Sequence, residues 1–228
     1  MAERNAKLIL MVGVLGVSAS AILVRFSQAP SGVTAAYRLG WTVLLLLPVV
    51  LLRCRAELRR VTARDLVLCG ASGVLLALHF LTWFESLKRT SVASSTVLVS
   101  TEVIFTALGF ALFLHGKIPR LGVWAILLAF GGSALLALSG GGGAGELSGN
   151  LLALAAASAA AVYTLIGRVQ RGHLSTTVYT FLTYLACFLT LLLGTAAAGT
   201  PLTGYGGREW LIGLALAVLC TLLGHSLF

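Results

Sequence analysis

The sequence predicts an all-α fold, a polytopic bundle of membrane-spanning helices, and three observations carry that expectation. The chain has 228 residues, of which 58% are hydrophobic and only 10% charged; soluble domains are about 25% charged. Its mean hydropathy is +1.00. The charges sit in short islands between apolar stretches of seventeen or more residues, a length that matches a hydrocarbon core of about 30 Å at 1.5 Å per helical residue. With no water there to satisfy backbone groups, each stretch has to be a helix. The net charge of +9 does not point to nucleic acid, because basic nucleic-acid binders cluster their charge on a polar surface.

Eight spans follow in order, at 8–26, 33–52, 66–86, 92–114, 121–138, 150–167, 178–198 and 210–228. The N-terminal segment Met1 to Lys7 is short and charged and has no small-residue cleavage site before Arg25 and Pro30, so the first span reads as an uncleaved helix. Gln28-Ala29-Pro30-Ser31-Gly32 ends it. The Arg53–Asp65 island, Lys88-Arg89-Thr90, and His115–Arg120 close the next three. The Gly-rich 139–149 separates the fifth from the sixth, and Arg168–Ser175 and Gly199–Glu209 close the last two junctions. The glycine run lacks the Lys-Ser/Thr pair of a phosphate-cradling loop; it reads as a flexible linker. No ATP motor is visible, so any work must draw on gradients.

Orientation follows from Lys and Arg in the loops. Arg4, Lys7, Arg53, Arg55, Arg59, Arg60, Arg64, Lys117, Arg120, Arg168 and Arg171 fall on one side, and Arg25, Lys88, Arg89 and Arg208 on the other. The bias places the N-terminus in the cytoplasm and the Gly-rich junction outside, in an integral, multi-pass cell-membrane protein. Cys54, Cys69, Cys187 and Cys220 show no Cys-x-x-Cys spacing, so neither a disulfide framework nor a zinc site is expected. No metal and no cofactor is indicated.

The two halves echo one another. Ser18-Ala19-Ser20-Ala21 resembles Ser158-Ala159-Ala160-Ala161, Thr34-Ala35-Ala36-Tyr37 resembles Thr176-Thr177-Val178-Tyr179, and Leu78-His79-Phe80 resembles Gly224-His225-Ser226. A single echo is worth little among apolar segments, but three in the same order favour a duplicated unit. Five spans precede the linker, so a second copy enters the membrane inverted, the arrangement of many secondary transporters. The expected units are 1–140, the linker 139–149, and 150–228, the second copy being incomplete with three spans.

The stretch Ala77-Leu78-His79-Phe80-Leu81-Thr82-Trp83-Phe84-Glu85-Ser86-Leu87, followed by Thr90-Ser91-Val92-Ala93-Ser94-Ser95-Thr96-Val97-Leu98-Val99, resembles the third-to-fourth helix signature of the drug/metabolite transporter superfamily, EamA-domain family. Phe105–Leu114 and Gly131-Gly132-Ser133-Ala134-Leu135-Leu136-Ala137-Leu138 resemble its fourth and fifth helices, and Val162-Tyr163-Thr164-Leu165-Ile166-Gly167-Arg168 and Leu222-Leu223-Gly224-His225-Ser226 its sixth and eighth. The resemblance implies a ten-helix carrier of two inverted five-helix repeats that exports metabolites, amino acids or drug-like solutes. The chain departs from the pattern in lacking helices nine and ten, and in His115-Gly116-Lys117 where an acidic residue is frequent. The apolar end at Phe228 carries the expectation that these 228 residues do not transport alone, and that they misassemble in part or are rescued by a second chain.

Intramembrane polar residues are the site candidates. Glu102 falls mid-span, where a charge costs about 2.5–3.5 kcal/mol on insertion scales, and it shares a helical stripe with Ser91, Ser94 and Ser95. That face should look into a cavity, unless Glu102 is a protonated packing residue. Arg38 lies about 8 Å into the second span and either snorkels to the interface or pairs with Glu102 or an anionic solute. His79 and Trp83 share a face; Trp83 is an interface anchor or a pocket wall. Tyr37, Tyr163, Tyr179 and Tyr184 are cavity or structural residues. Arg25 and Glu85 lie at span ends, as interface residues. Small residues Gly16/Ser20 and Ala153/Ala157/Ala161 read as helix-packing faces. The expected partners are the lipid bilayer, a small-molecule solute, protons as coupling ion and a second copy of the chain in a homo-oligomer.

An enzyme is not expected. Gly70-Ala71-Ser72-Gly73 resembles the nucleophile motif of rhomboid-type intramembrane proteases, with His225 as a candidate base. The His-x-x-x-Asn element is missing and His225 lacks a following glycine; the small residues read as packing. A non-transporting membrane fragment is the remaining alternative.

Overall fold

A computed structural model describes residues 19–139 and 144–222 of the chain. All regular structure among them is helical. Helix α1 (residues 19–26) is the end of the first span; α2 (Ser31–Arg53), α3 (Arg55–Leu58), α4 (Ala63–Arg89), α5 (Val92–Ser100), α6 (Glu102–Phe113), α7 (Arg120–Ser139), α8 (Ala144–Gln170), α9 (Thr176–Ala197) and α10 (Gly207–Ala215) follow, and α10 runs on into a π-helix over Leu216–Leu222. Five segments are long and apolar enough to cross a membrane, Ser31–Arg53, Ala63–Arg89, Val92–Phe113, Gly145–Gln170 and Thr176–Ala197.

Local chemistry sets the boundaries. Thr62 and Asp65 form a reciprocal capping box at the start of α4. Ser91 and Ser175 cap α5 and α9 by accepting from the backbone N–H groups of Ser94 and Val178. α2 starts directly after Pro30, the residue type that fits a helix entry.

Three boundaries depart from the sequence expectation. The span at 92–114 is not one helix: it breaks at Thr101, whose hydroxyl turns back to the Leu98 carbonyl at 2.6 Å while its N–H bonds the same oxygen at 3.1 Å. Such a hydroxyl offers the backbone an alternative to the α ladder. The linker expected over 139–149 is helical from Ala144. Gly149 packs so closely on Thr90 that an added Cβ would come within 2.8 Å of it, and Asn150 Oδ1 accepts from Thr90 Oγ1 at 2.9 Å; these contacts offset the entropy that glycine loses in a helix. Residues 140–143 lie outside the described residues. The last span is interrupted by the π-helix, and 223–228 lie outside the described residues, as do 1–18.

α4 is the central element. It packs along α8 and α9 and more lightly on α2, while α2 packs on α9 and α10. The crossing of α4 and α9 is tight: a Cβ on Gly73 would lie 2.7 Å from the backbone nitrogen of Cys187. The main core gathers Phe80, Trp83, Phe84 and Leu87 of α4 with Leu39, Leu191 and Leu216. Ala153, Ala156, Ala157, Ala160 and Ala161 are all buried on the inner face of α8, so the small-residue stripe lets backbones approach as expected; Gly16 lies outside the described residues.

Successive segments alternate in direction. The junctions at 26–31, 88–91 and 202–209 and the N-terminal turns of α8 around 149–150 meet at one end, tied by Lys88 Nζ to the Ala29 carbonyl at 2.8 Å, Arg25 to the Leu87 carbonyl, and the Thr90–Asn150 bond. Arg25 and Glu85, which bonds Ser31 and Arg89, sit at this end as the sequence suggested. The junctions at 54–62 and 171–175 meet at the other end, where Glu57 accepts from the Ser175 N–H and Gln170 donates to Asp65.

Candidate functional site

The break at Thr101 places Glu102 in the first turn of α6, half-buried against α8. Glu102 accepts from Thr164 Oγ1 at 3.0 Å. Together with His79 of α4, Tyr163 and Thr164 of α8, Tyr184 of α9 and Thr221 of the π-helix, it lines a cavity of about 80 Å³ in the middle of the bundle. His79 Nδ1 lies 3.0 Å from the Ala156 carbonyl. A carbonyl only accepts, so Nδ1 carries the proton and a neutral ring keeps Nε2 as an acceptor.

Arg38 sits behind this cavity. Its guanidinium lies over the Phe80 ring, 4.4 Å from the centroid. Nε donates to Thr221 Oγ1 at 2.9 Å and Nη1 to Ser20 Oγ at 3.3 Å. Phe80 and Thr221 both line the cavity. Arg38 is 1% exposed, so it does not snorkel, because a snorkelling head must reach the interface. Nor does it pair with Glu102: Arg38 bonds hydroxyls and Glu102 bonds Thr164. Ser20, read as a packing residue, is a partner of Arg38.

A second cavity of about 70 Å³ shares Tyr163, Thr164 and Tyr184 with the first and continues past Tyr179 to Arg171 and Thr176. The two cavities are neighbours that share these walls, the second lying toward the 171–176 end. Tyr179 lines the second and bonds Ser72 Oγ at 2.6 Å.

The remaining candidates lie elsewhere. Tyr37 stacks on Trp210 with centroids 4.1 Å apart and donates to the Leu202 carbonyl at 2.6 Å. It borders a larger cavity of about 340 Å³ whose other walls, Trp41, Leu44, Phe188 and Leu192 among them, are mostly apolar. Trp83 is buried in the main core beside His79 and Phe84, not anchored at an interface, because α4 is central and its ring end faces neighbouring helices. The serine stripe does not open into the cavity either. Ser91 caps α5, and Ser95 is buried where it accepts from Ser86 Oγ at 2.9 Å; helix pairing consumes these hydroxyls. Ser72 is fully buried against Tyr179, and His225 lies outside the described residues.

Thr164, Thr221 and Glu209 were not singled out from the sequence. A threonine in an apolar helix carries no signal until its partner is known, and Glu209 reads as a loop residue beside Arg208.

The sequence profile of the EamA-like transporter family matches residues 5–138. No curated protein matches the chain. Among solved structures, a crystal structure described only as that of a protein is similar with a TM-score of 0.65 and 20% identity, covering 98% of this chain and 77% of the other; that likeness is one of fold. By a match that spans more than half of its length, the chain belongs to the EamA-like transporter family, a family of membrane transporters.

Proposed function

We propose that the protein is a gradient-driven secondary carrier that exports a small metabolite, an amino acid or a drug-like solute across the cell membrane, with its N-terminus in the cytoplasm. One observation carries the reading. The central cavity takes Glu102 and His79 from the first half of the chain and Tyr163, Thr164, Tyr184 and Thr221 from the second. A site walled by both halves is what alternating access between two inverted units, 1–140 and 150–228, requires.

Glu102 is the group that binds and releases the coupling proton. An ionisable residue held at this depth is expensive to keep and functional by default. Arg38 supports a solute that carries an anionic group, since among the described residues its buried charge is matched by hydroxyls and an aromatic face rather than a carboxylate. The test is a panel of amino acids and small organic acids and amines in liposomes containing the purified protein, with and without a proton gradient. Saturable, gradient-dependent flux supports the carrier. Non-saturating flux indifferent to the gradient points to a channel, and no flux of any solute, with the chain reconstituted either alone or assembled with a second copy, removes the reading.

A further inference from the structure

At the end of the bundle that gathers the junctions 26–31 and 202–209, one buried carboxylate ties these two segments together. Glu209, in the first turn of α10, is 7% exposed. It accepts from Ser27 Oγ at 2.6 Å through Oε2 and from the Gln28 N–H at 3.1 Å through Oε1. Ser27 is in turn 2.7 Å from Thr34 Oγ1, so the carboxylate ties α10 to both sides of the α1–α2 turn. Beside it, Arg208 donates to the Phe26 carbonyl at 3.0 Å and Tyr37 to the Leu202 carbonyl. Apart from the Ser27–Thr34 contact, each of these bonds joins the first half of the chain to the second.

The helix that Glu209 begins does not stop at the gate. It runs through Gly213, whose Cα faces Tyr37 so closely that an added Cβ would lie 2.7 Å from the Tyr37 Cβ, and into the π-helix over Leu216–Leu222. There Thr221 lines the central cavity and takes the bond from Arg38 Nε. A π segment makes i→i+5 bonds, is rare, and is frequent at functional sites. One continuous segment therefore carries both the Glu209 contacts and the Arg38–Thr221 bond.

We propose that Glu209 is the latch of one gate of the carrier, and that α10 with its π-helix is the element that links release of this latch to the state of the cavity at Thr221 and Arg38. The proposal rests on the carrier reading. With Glu209 engaged, that end is shut, and the neighbouring cavity walled by Tyr163, Tyr184 and Tyr179 lies on the side of the opposite, 171–176 end. Bonds to a carboxylate are charge-assisted and strong, while water offers the same groups equivalent partners once it enters, which suits a contact that must both hold and release.

Hydrogen–deuterium exchange of the full chain in lipid nanodiscs tests the latch without any transport assay. Glu209→Ala should raise exchange about tenfold or more over residues 26–34 and 205–213 and leave 54–62 and 171–176 unchanged. Ser27→Ala, which removes one of the two bonds, should give a smaller rise in the same places and serves if Glu209→Ala does not fold. No change at the gate, or an equal rise at both ends, overturns the proposal. In a second arm, Ser27→Cys and Glu209→Cys in a Cys54→Ser background are bridged by a short bis-methanethiosulfonate. Bridging should abolish flux and reductant should restore it. Flux that survives bridging overturns the latch and leaves the carrier intact. A parent chain without flux removes the carrier reading alone, and the exchange experiment still decides whether Glu209 holds the two halves shut.

Discussion

Arg38 and Thr221 are 183 residues apart in the chain, yet the Arg38 Nε donates to Thr221 Oγ1 at 2.9 Å. The bond joins α2 to the π-helix of the last described segment and fixes the wall of the central cavity. Arg38→Lys should therefore not be conservative. One ammonium cannot reach Thr221 and Ser20 together and also lie flat on Phe80, and loss of one such buried bond costs about 1–3 kcal/mol. The expected outcome is a lower melting temperature in detergent and at least a tenfold higher KM for an anionic solute. A solute affinity unchanged in a folded Arg38→Lys protein would remove Arg38 from solute binding.

Glu102→Gln keeps the acceptor for Thr164 and most of the side-chain volume but removes the titratable proton. It should leave folding intact and abolish the dependence of transport on pH or on the proton gradient. The measurement is flux against internal and external pH in liposomes. An unchanged pH profile would reduce Glu102 to a packing residue.

Gly73→Ala should destabilise the bundle. Its methyl would meet the Ala186 Cβ, the Thr183 carbonyl at 2.7 Å and the Cys187 nitrogen at 2.7 Å. Two of these are backbone atoms on a packed helix, which cannot rotate away. Overpacking of this kind costs about 1–3 kcal/mol, measurable as a fall in unfolding temperature. Gly70, with nothing within 4 Å, should accept alanine without loss.

Ser72→Ala separates the packing and protease readings of Gly70-Ala71-Ser72-Gly73. Ser72 is bonded to Tyr179, so the expected effect is a stability loss of about 1 kcal/mol. A serine-directed fluorophosphonate should not label the wild-type protein. Labelling lost in Ser72→Ala would reinstate a nucleophile.

Thr62→Ala removes a capping box in which Thr62 and Asp65 satisfy each other's backbone groups. The cost should be about 1 kcal/mol, read by hydrogen exchange in the first turn of α4.

The sequence by itself determined the class of fold and the rough placement of the apolar segments, because crossing about 30 Å of hydrocarbon imposes length and hydropathy residue by residue; the break at Thr101, the helix over 144–149 and the π-helix over 216–222 it did not. It also marked Glu102, His79 and Tyr163, since an ionisable or aromatic group in an apolar run stands out without knowledge of its neighbours. What only the tertiary structure decided were the partnerships. Arg38 looks equally able to snorkel, to pair with Glu102 or to face a solute until α2 is seen packed between α4, α9 and the π-helix. The serine stripe looks like a cavity face until Ser86 meets Ser95. Glu209 looks like a loop charge until the α1–α2 turn folds over it. Hydropathy reports the medium around each segment, whereas hydrogen-bond partners depend on which helices lie side by side and at what rotation. Those relations join residues far apart in the chain and leave no periodic signal in either stretch.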